Sequence, residues 1–395
     1  MALFSNIYRL HSLDLSERRV FLRADLNAGL SGFGGVVDDS RLRAALPTLR
    51  HLSALRSKVV IGAHFGTPDE PAPSNAARAV ARRLSELLGH DVGLSDRDFW
   101  RHVKALEPGE IALAPNLVEY PEECRNDPAF AAEIARSVDV YVGDDLRSAQ
   151  NLWASVDALP RAVPSRGAGA LLGSDLDMLE LVAGAVPERP YVAVVGGNGF
   201  ARRAPLLWAL LLRADALVLG GVVANTCLVA RGFRLGASRY EADQVDAARA
   251  FLSAAEERGV AVHLPGDALV VRPEQGIDSL ELRDIAAVGP AEMIVDVGIQ
   301  TCILYRDVIA NAATLLWTGL LGIADREETQ SGTYRAAQAV AMARHSLVFG
   351  ERTVATLDAL DLLPAFKSVS RAGDAALSLM SGVVLPGIES LRSVV

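Results

Sequence analysis

The sequence predicts an α/β protein of two domains, each built on a parallel sheet. Three observations carry this expectation. Short continuous apolar runs alternate with amphipathic helical stretches along the whole chain. The alternation comes in two series, parted by a segment of different character. The 395 residues are enough for two domains of ordinary size. A strand reads as an unbroken apolar run when helices cover both faces of its sheet, and that is the arrangement of crossover-connected parallel strands.

The elements follow in order. "RVFLRADLN", "KVVIGAHFG", "IALAPN" and "VDVYVGDD" are the strands of the first series, most of them ending in Gly, Asn or Asp. Helical segments such as "SRLRAALPTLRHLSALR" and "NAARAVARRLSELLG" lie between them. The break falls at "LGSDLDMLELVAGAVPERP", where Ser174 or Asp175 can cap a helix that ends before Pro187 and Pro190. The second series reads "YVAVVGGNG", "ALVLGGVVA", "AVHLPGDALVV", "MIVDVG", "TLLWTG" and "SLVFG". The expected division is therefore a first α/β domain over 1–173, a connecting helix over 174–188, a second α/β domain over 189–380 and a tail over 381–395. Open α/β sheets bind ligands at the carboxyl ends of their strands, so two facing domains imply a cleft between them.

Composition excludes several classes. Half of the residues are hydrophobic and 22% are charged, as in ordinary globular proteins. The longest apolar candidate for a membrane span, "ALLLRADALVLGGVVA", is interrupted by Arg213 and Asp215. The N-terminal "MALFSNIYRLHSLDLSERR" has no signal-peptide layout, so a cytoplasmic location is expected. Cys124, Cys227 and Cys302 are far apart, which reads as free thiols in a reducing compartment. A net charge of −9 argues against nucleic acid or an anionic membrane as partner. The expected partner is a small-molecule substrate, with a protein partner left open. Only Lys58, Lys104 and Lys367 are lysines among 39 basic side chains, so an arginine in place of a lysine is a weak sign of design here.

Taken in order, the strand ends and turns "FLRADLN", "DDSRLRAALPTL", "GAHFGTPDE", "DVYVGDD", "VVGGNGFARR", "LVLGGVVANT", "LLWTGLLGIAD" and "VVLPGIESL" resemble those of phosphoglycerate kinases over nearly the whole chain. The resemblance is to a divergent member of that family. It implies two Rossmann-like domains facing a central cleft, phosphoglycerate on the N-terminal domain and Mg-nucleotide on the C-terminal one. It also implies hinge closure and a tail that packs back on the N-terminal domain.

On the acid-substrate side the resemblance implies roles for Asp25 and Asn27 after the first strand, Arg41 at the start of the next helix, and His64 in the turn after the second strand. Asp144 ends a later strand of the same half. Three arginines of the family pattern are replaced, by Thr67, Val118 and Asn151, and Trp153 stands where the family has a second histidine. Each lost arginine removes a charge-assisted contact worth on the order of 1.5–3 kcal/mol to a phosphate. Arg147 can compensate for one of them. Val118 and Trp153 make the expected pocket more apolar. Without the family, His64 and Arg41 read equally as interdomain contacts, and Asp25 and Asn27 as caps of their turn.

On the nucleotide side the resemblance implies Gly196, Gly197, Gly220 and Gly221 at phosphate-bearing turns, with Arg203 in place of the lysine that meets the transferred group. Thr318 replaces an asparagine, and Asp325 stands where a glutamate meets the ribose. In "FGERT", Gly350 and Thr353 are kept, but Arg352 occupies the position of the metal-side carboxylate. Arg352 cannot ligate Mg²⁺, which takes oxygen ligands. Arg203, Arg352 and Arg371 read either as an anion site without metal or as an ion network with Glu351 and Asp374.

The expectation drawn from these departures is that ordinary phosphoglycerate kinase activity has been lost. The expected replacement is action on a different, more apolar small molecule, with His64, Arg41 and Arg203 as catalytic candidates. Two alternatives stand beside it: an ATP-dependent phosphotransferase with a new acceptor, and a non-catalytic homologue that binds a metabolite or a protein. No metal site is expected, and ATP with magnesium enters only if kinase activity is retained.

Overall fold

The computed structural model describes residues 3–393, apart from 31–34, 68, 71, 74, 185–186, 324 and 371. The chain divides into two units, Met1–Asp177 with Val384–Val395 and Met178–Val383.

The first unit carries eight strands among its described residues: β1 (Arg19–Ala24), β2 (Gly29–Leu30), β3 (Val36–Asp38), β4 (Lys58–Gly62), β5 (Val92–Leu94), β6 (Ile111–Leu113), β7 (Val140–Asp144) and β8 (Ser165–Ala168). Six of them form a parallel sheet in the order β5-β6-β4-β1-β7-β8. β2 and β3 pair separately and antiparallel. The central strand β1 has Val20, Phe21 and Leu22 fully buried, because helices lie on both faces of the sheet. Burying each such side chain contributes about 1.5–3 kcal/mol. Residues near the C-terminus belong to this unit. Ile7 bridges to Arg392, and the Ser390 hydroxyl donates to the Val156 carbonyl at 2.9 Å.

The second unit continues with β9 (Tyr191–Val195), β10 (Ala216–Leu219), β11 (Ala261–His263), β12 (Asp267–Arg272), β13 (Gly276–Asp284), β14 (Met293–Val297), β15 (Thr314–Thr318), β16 (His345–Phe349) and β17 (Ser368–Ser370). Its parallel sheet runs β11-β10-β9-β15-β16-β17. The fold class read from the sequence therefore holds, with one local difference. "AVHLPGDALVV" is two strands, and its second half joins "MIVDVG" in a three-stranded antiparallel sheet, β13-β12-β14. The middle of that sheet is paired by "GIDSLELRD", whose half-exposed, mostly polar pattern gives little apolar signal.

The helix at the break also begins earlier than expected, at Ala170, and ends at Ala183. Its cap is neither Ser174 nor Asp175. Asp144, at the end of β7, accepts the N–H groups of Leu171 and Leu172 at 2.9 and 3.1 Å. A distant side chain can fill that role because the strand end and the helix start meet only in the folded state. Among the described residues no helix is long and apolar enough to cross a membrane. All three cysteines are free thiols.

Candidate functional site

In both units the singled-out residues cluster at the carboxyl ends of the parallel strands. There the strand N–H and C=O ladder stops, and loops and helix starts take over.

In the first unit, Asp25 follows β1 and Arg41 begins the helix Ser40–Ala54. The Arg41 Nη1 donates to both Asp25 oxygens, at 3.1 and 3.0 Å. Asp25 also accepts the Asn27 N–H at 3.2 Å, which closes the turn. The Asn27 amide oxygen accepts the Gly66 N–H at 3.3 Å and so ties this turn to the one that carries His64. Burial holds the Asp25 carboxyl above the usual carboxylate range, and Asp145 adds to the effect while Arg41 and Arg147 oppose it. The sequence-derived set Asp25, Asn27, Arg41 and His64 is thus brought together.

His64 is buried. Its Nε2 lies 2.9 Å from Glu123 Oε1, and its ring stacks on Trp153 with centroids 4.0 Å apart. Its Nδ1 is buried without a hydrogen-bond partner among the described residues. Burial pushes the imidazole below its ordinary range, against the pull of Glu123. Asn116 fixes the chain beside it, accepting the Phe65 N–H at 2.9 Å and donating to the Phe65 carbonyl at 2.8 Å.

Sequence reasoning missed the polar network beneath this group. Glu123 is fully buried and accepts the Ser155 N–H at 2.8 Å and the Ser155 hydroxyl at 2.6 Å. Arg23 is also buried, 3.4 Å from Asp145 and donating to Ser155 Oγ at 3.2 Å. Arg23 carried a usable signal, since a charge inside the apolar run "VFLRA" needs a buried partner. Glu123, in a short acidic helix, carried none.

Three further candidates make local hydrogen bonds. Asp144 is committed to its helix cap, and burial pushes its carboxyl up to about 7. The Val118 N–H donates to Asn116 Oδ1 at 3.3 Å, and the Asn151 side chain donates to the Ser148 carbonyl at 3.3 Å.

In the second unit a cavity of about 650 Å³ is lined by Gly197, Arg203, Gly221, Asp325, Arg352 and Thr353, among others. Its floor is backbone. The Gly197 N–H donates to the Leu320 carbonyl at 3.1 Å, and the Val222 N–H donates to the Gly197 carbonyl at 2.9 Å. A Cβ on Gly196 would lie 2.1 Å from the Leu320 carbonyl oxygen, so only glycine fits. Gly220 precedes the helix Gly221–Ala230, and its N–H donates to Val195 at 3.1 Å.

Helix starts converge on the cavity. Phe200–Leu210 begins with Gly199 as its cap residue, and Glu351–Ala359 begins after Gly350. Glu241, which the sequence did not single out, lies against the first of them and accepts the Ala201 N–H at 2.8 Å. Arg203 rests half-buried against the Gly197 backbone, with no hydrogen-bond or ion-pair partner among the described residues. Burial lowers its pKa from the ordinary arginine value. Thr353 Oγ1 accepts the Gly319 N–H at 2.9 Å, and the Thr318 hydroxyl is buried without a hydrogen-bond partner among the described residues.

The ion pairs differ from those expected. Arg352 donates to Asp325 at 2.6 Å, and Arg202 pairs with Asp374. Arg203 joins neither pair, and Arg371 lies outside the described residues. The carboxylates around the cavity do not fit a protein-held metal. Asp296 accepts two backbone N–H groups, Glu241 caps a helix and Asp325 is paired. Among the described residues no group of three or more His, Cys, Asp or Glu could hold a metal ion.

The family model for phosphoglycerate kinase matches residues 10–383. A phosphoglycerate kinase of Thermomicrobium roseum is 38% identical over 386 residues, 96% of this chain and 97% of the relative. One of an Anaeromyxobacter species, strain Fw109-5, is 35% identical over 390 residues, 96% of this chain and 98% of the relative. The solved phosphoglycerate kinase of Coxiella burnetii superposes with a TM-score of 0.91 at 33% identity, covering 98% of both chains. Likeness of this extent to proteins of that name overturns the expectation of repurposing toward a more apolar molecule. It equally overturns the new-acceptor and non-catalytic alternatives, and the reading of the site as degenerate. Counting lost arginines one position at a time left out Arg23, a buried guanidinium whose charge acts on His64.

Proposed function

Because this chain belongs to the phosphoglycerate kinase family, we propose that it transfers a phosphoryl group between a nucleotide and phosphoglycerate. The observation that carries this reading is Arg203, a half-buried guanidinium in a glycine-floored cavity with no hydrogen-bond or ion-pair partner among the described residues. A desolvated cation is stabilised by an anionic ligand, and the first turns of the helices Phe200–Leu210 and Glu351–Ala359 carry N–H groups that lack partners within the helix.

The family implies ATP and magnesium. In our reading the nucleotide lies in the cavity of the second unit. Arg203 meets the negative charge that spreads over the transferred group, where positioning and charge stabilisation supply most of the catalysis. Phosphoglycerate lies on the first unit. Arg41 binds its anionic end, Asp25 and Asn27 orient its polar groups, and His64 faces it as a neutral imidazole. The substrates are small molecules and the location is cytoplasmic, a setting that suits the three free thiols.

The test is direct. The purified protein is incubated with ATP and 3-phosphoglycerate, and phosphoryl transfer is followed by phosphorus NMR. Acceptor-dependent consumption of ATP is expected. Folded protein that shows none, with both substrates at millimolar concentration, would sink the reading.

A further inference from the structure

The cavity of the second unit is supplied with fixed positive charge and not with metal ligands. Arg352 is the second residue of the nine-residue helix Glu351–Ala359 and lines the cavity, whereas Glu351 is exposed and does not line it. Its guanidinium pairs with Asp325, and both side chains of that pair are more than half exposed. A pair so exposed is weakly held and is readily exchanged for a phosphate. Arg203 adds a second guanidinium at the start of the helix Phe200–Leu210, half-buried and without a hydrogen-bond or ion-pair partner among the described residues. Arg352 lies in the first turn of the Glu351–Ala359 helix, at its positive end.

Magnesium is held in such sites by one or two carboxylates together with the phosphates. Of the carboxylates lining this cavity, Asp296 and Glu241 are held by backbone N–H groups, and Asp325 stands against the Arg352 guanidinium, whose charge disfavours a divalent cation beside it. An arginine at the entrance would also repel a divalent cation that the protein does not itself ligate.

We propose that this chain meets the nucleotide's phosphates directly with Arg203 and Arg352, so that nucleotide binding does not depend on a protein-ligated divalent cation. The inference rests on the nucleotide reading of the cavity. It goes beyond that reading by assigning to Arg352 the neutralising role that a metal would otherwise have. Asp325 serves as the counter-ion of Arg352 until the nucleotide arrives.

The test is calorimetric titration of the full chain with ADP and with ATP, once in EDTA and once with excess Mg²⁺. The expected dissociation constants agree within about threefold between the two conditions, a difference smaller than one charge-assisted contact. The variant R352D, checked for an unchanged melting temperature, is expected to lose roughly tenfold in affinity in EDTA and to regain it with Mg²⁺. Tightening of the unaltered protein by more than about tenfold on adding Mg²⁺ would overturn the inference and leave the nucleotide reading standing. R352D with wild-type affinity in EDTA would overturn the role of Arg352. Absence of binding in both conditions would overturn the nucleotide reading and the inference together.

Discussion

Trp153 lies against the ring of His64, with centroids 4.0 Å apart and planes 26° apart, while His64 Nε2 lies 2.9 Å from the buried Glu123. The indole covers the imidazole and keeps it from water, and burial is the main cause of its lowered pKa. Trp153→Ala should therefore raise the His64 pKa toward the ordinary histidine value, read by NMR titration of the ring protons. An unchanged titration would mean that the indole does not shield the ring. The stack itself should be worth about 0.5–1.5 kcal/mol beyond its buried area.

Arg23 and Asp145 form a buried pair that shares Ser155 with Glu123. Removing one partner leaves the other charge uncompensated, at a cost of roughly 3–5 kcal/mol. Urea unfolding of Arg23→Met should show a loss of that size at neutral pH. A loss below about 1 kcal/mol would mean that Asp145 finds water or another partner.

Asp144 gives a pH signature. Its folded pKa is raised to about 7 from an ordinary 3.8, so the folded state favours the neutral acid. That preference is fully present below the unfolded value and is lost as pH rises through about 7. Asp144→Asn cannot ionise. The melting temperature of this variant relative to the unaltered protein should increase from pH 4 to about pH 7 and then level off, and a flat difference would refute the assignment.

Gly319 has φ +85°, and a Cβ there would lie 2.1 Å from the Gly196 carbonyl oxygen. Neither backbone can yield cheaply. Gly319→Ala should lower stability by about 1–3 kcal/mol and weaken nucleotide binding in calorimetry, because it pushes apart the two turns that floor the cavity. Normal affinity in the variant would show that the turns are not part of the site.

Arg203→Ala should reduce turnover by roughly 10²–10³, the usual cost of one fixed charge-stabilising donor. Arg203→Lys should keep most of the rate, since a lysine also supplies the charge. Steady-state assays of both variants check this. Equal rates for Arg203→Ala and the unaltered protein would remove Arg203 from the mechanism.

The sequence by itself determined the two α/β units and the positions where their strands end. Continuous apolar runs such as "RVFLRA" and "YVAVV" form only where both faces of a sheet are covered, and polar residues after them mark the strand ends. For that reason Asp25, His64, Gly196 and Gly350 could be placed at strand ends before any contact was known. Tertiary structure alone decided which charges meet. Arg352 lies 27 residues from its partner Asp325, Asp144 caps a helix whose first bonded N–H is 27 residues away, and Arg23 finds Ser155 across 132 residues. Pairing over such distances depends on how the strands are ordered in the sheet, which local patterns of hydrophobicity do not encode. The same limit explains the antiparallel "GIDSLELRD" strand, held by its neighbours' backbones and not by an apolar pattern of its own.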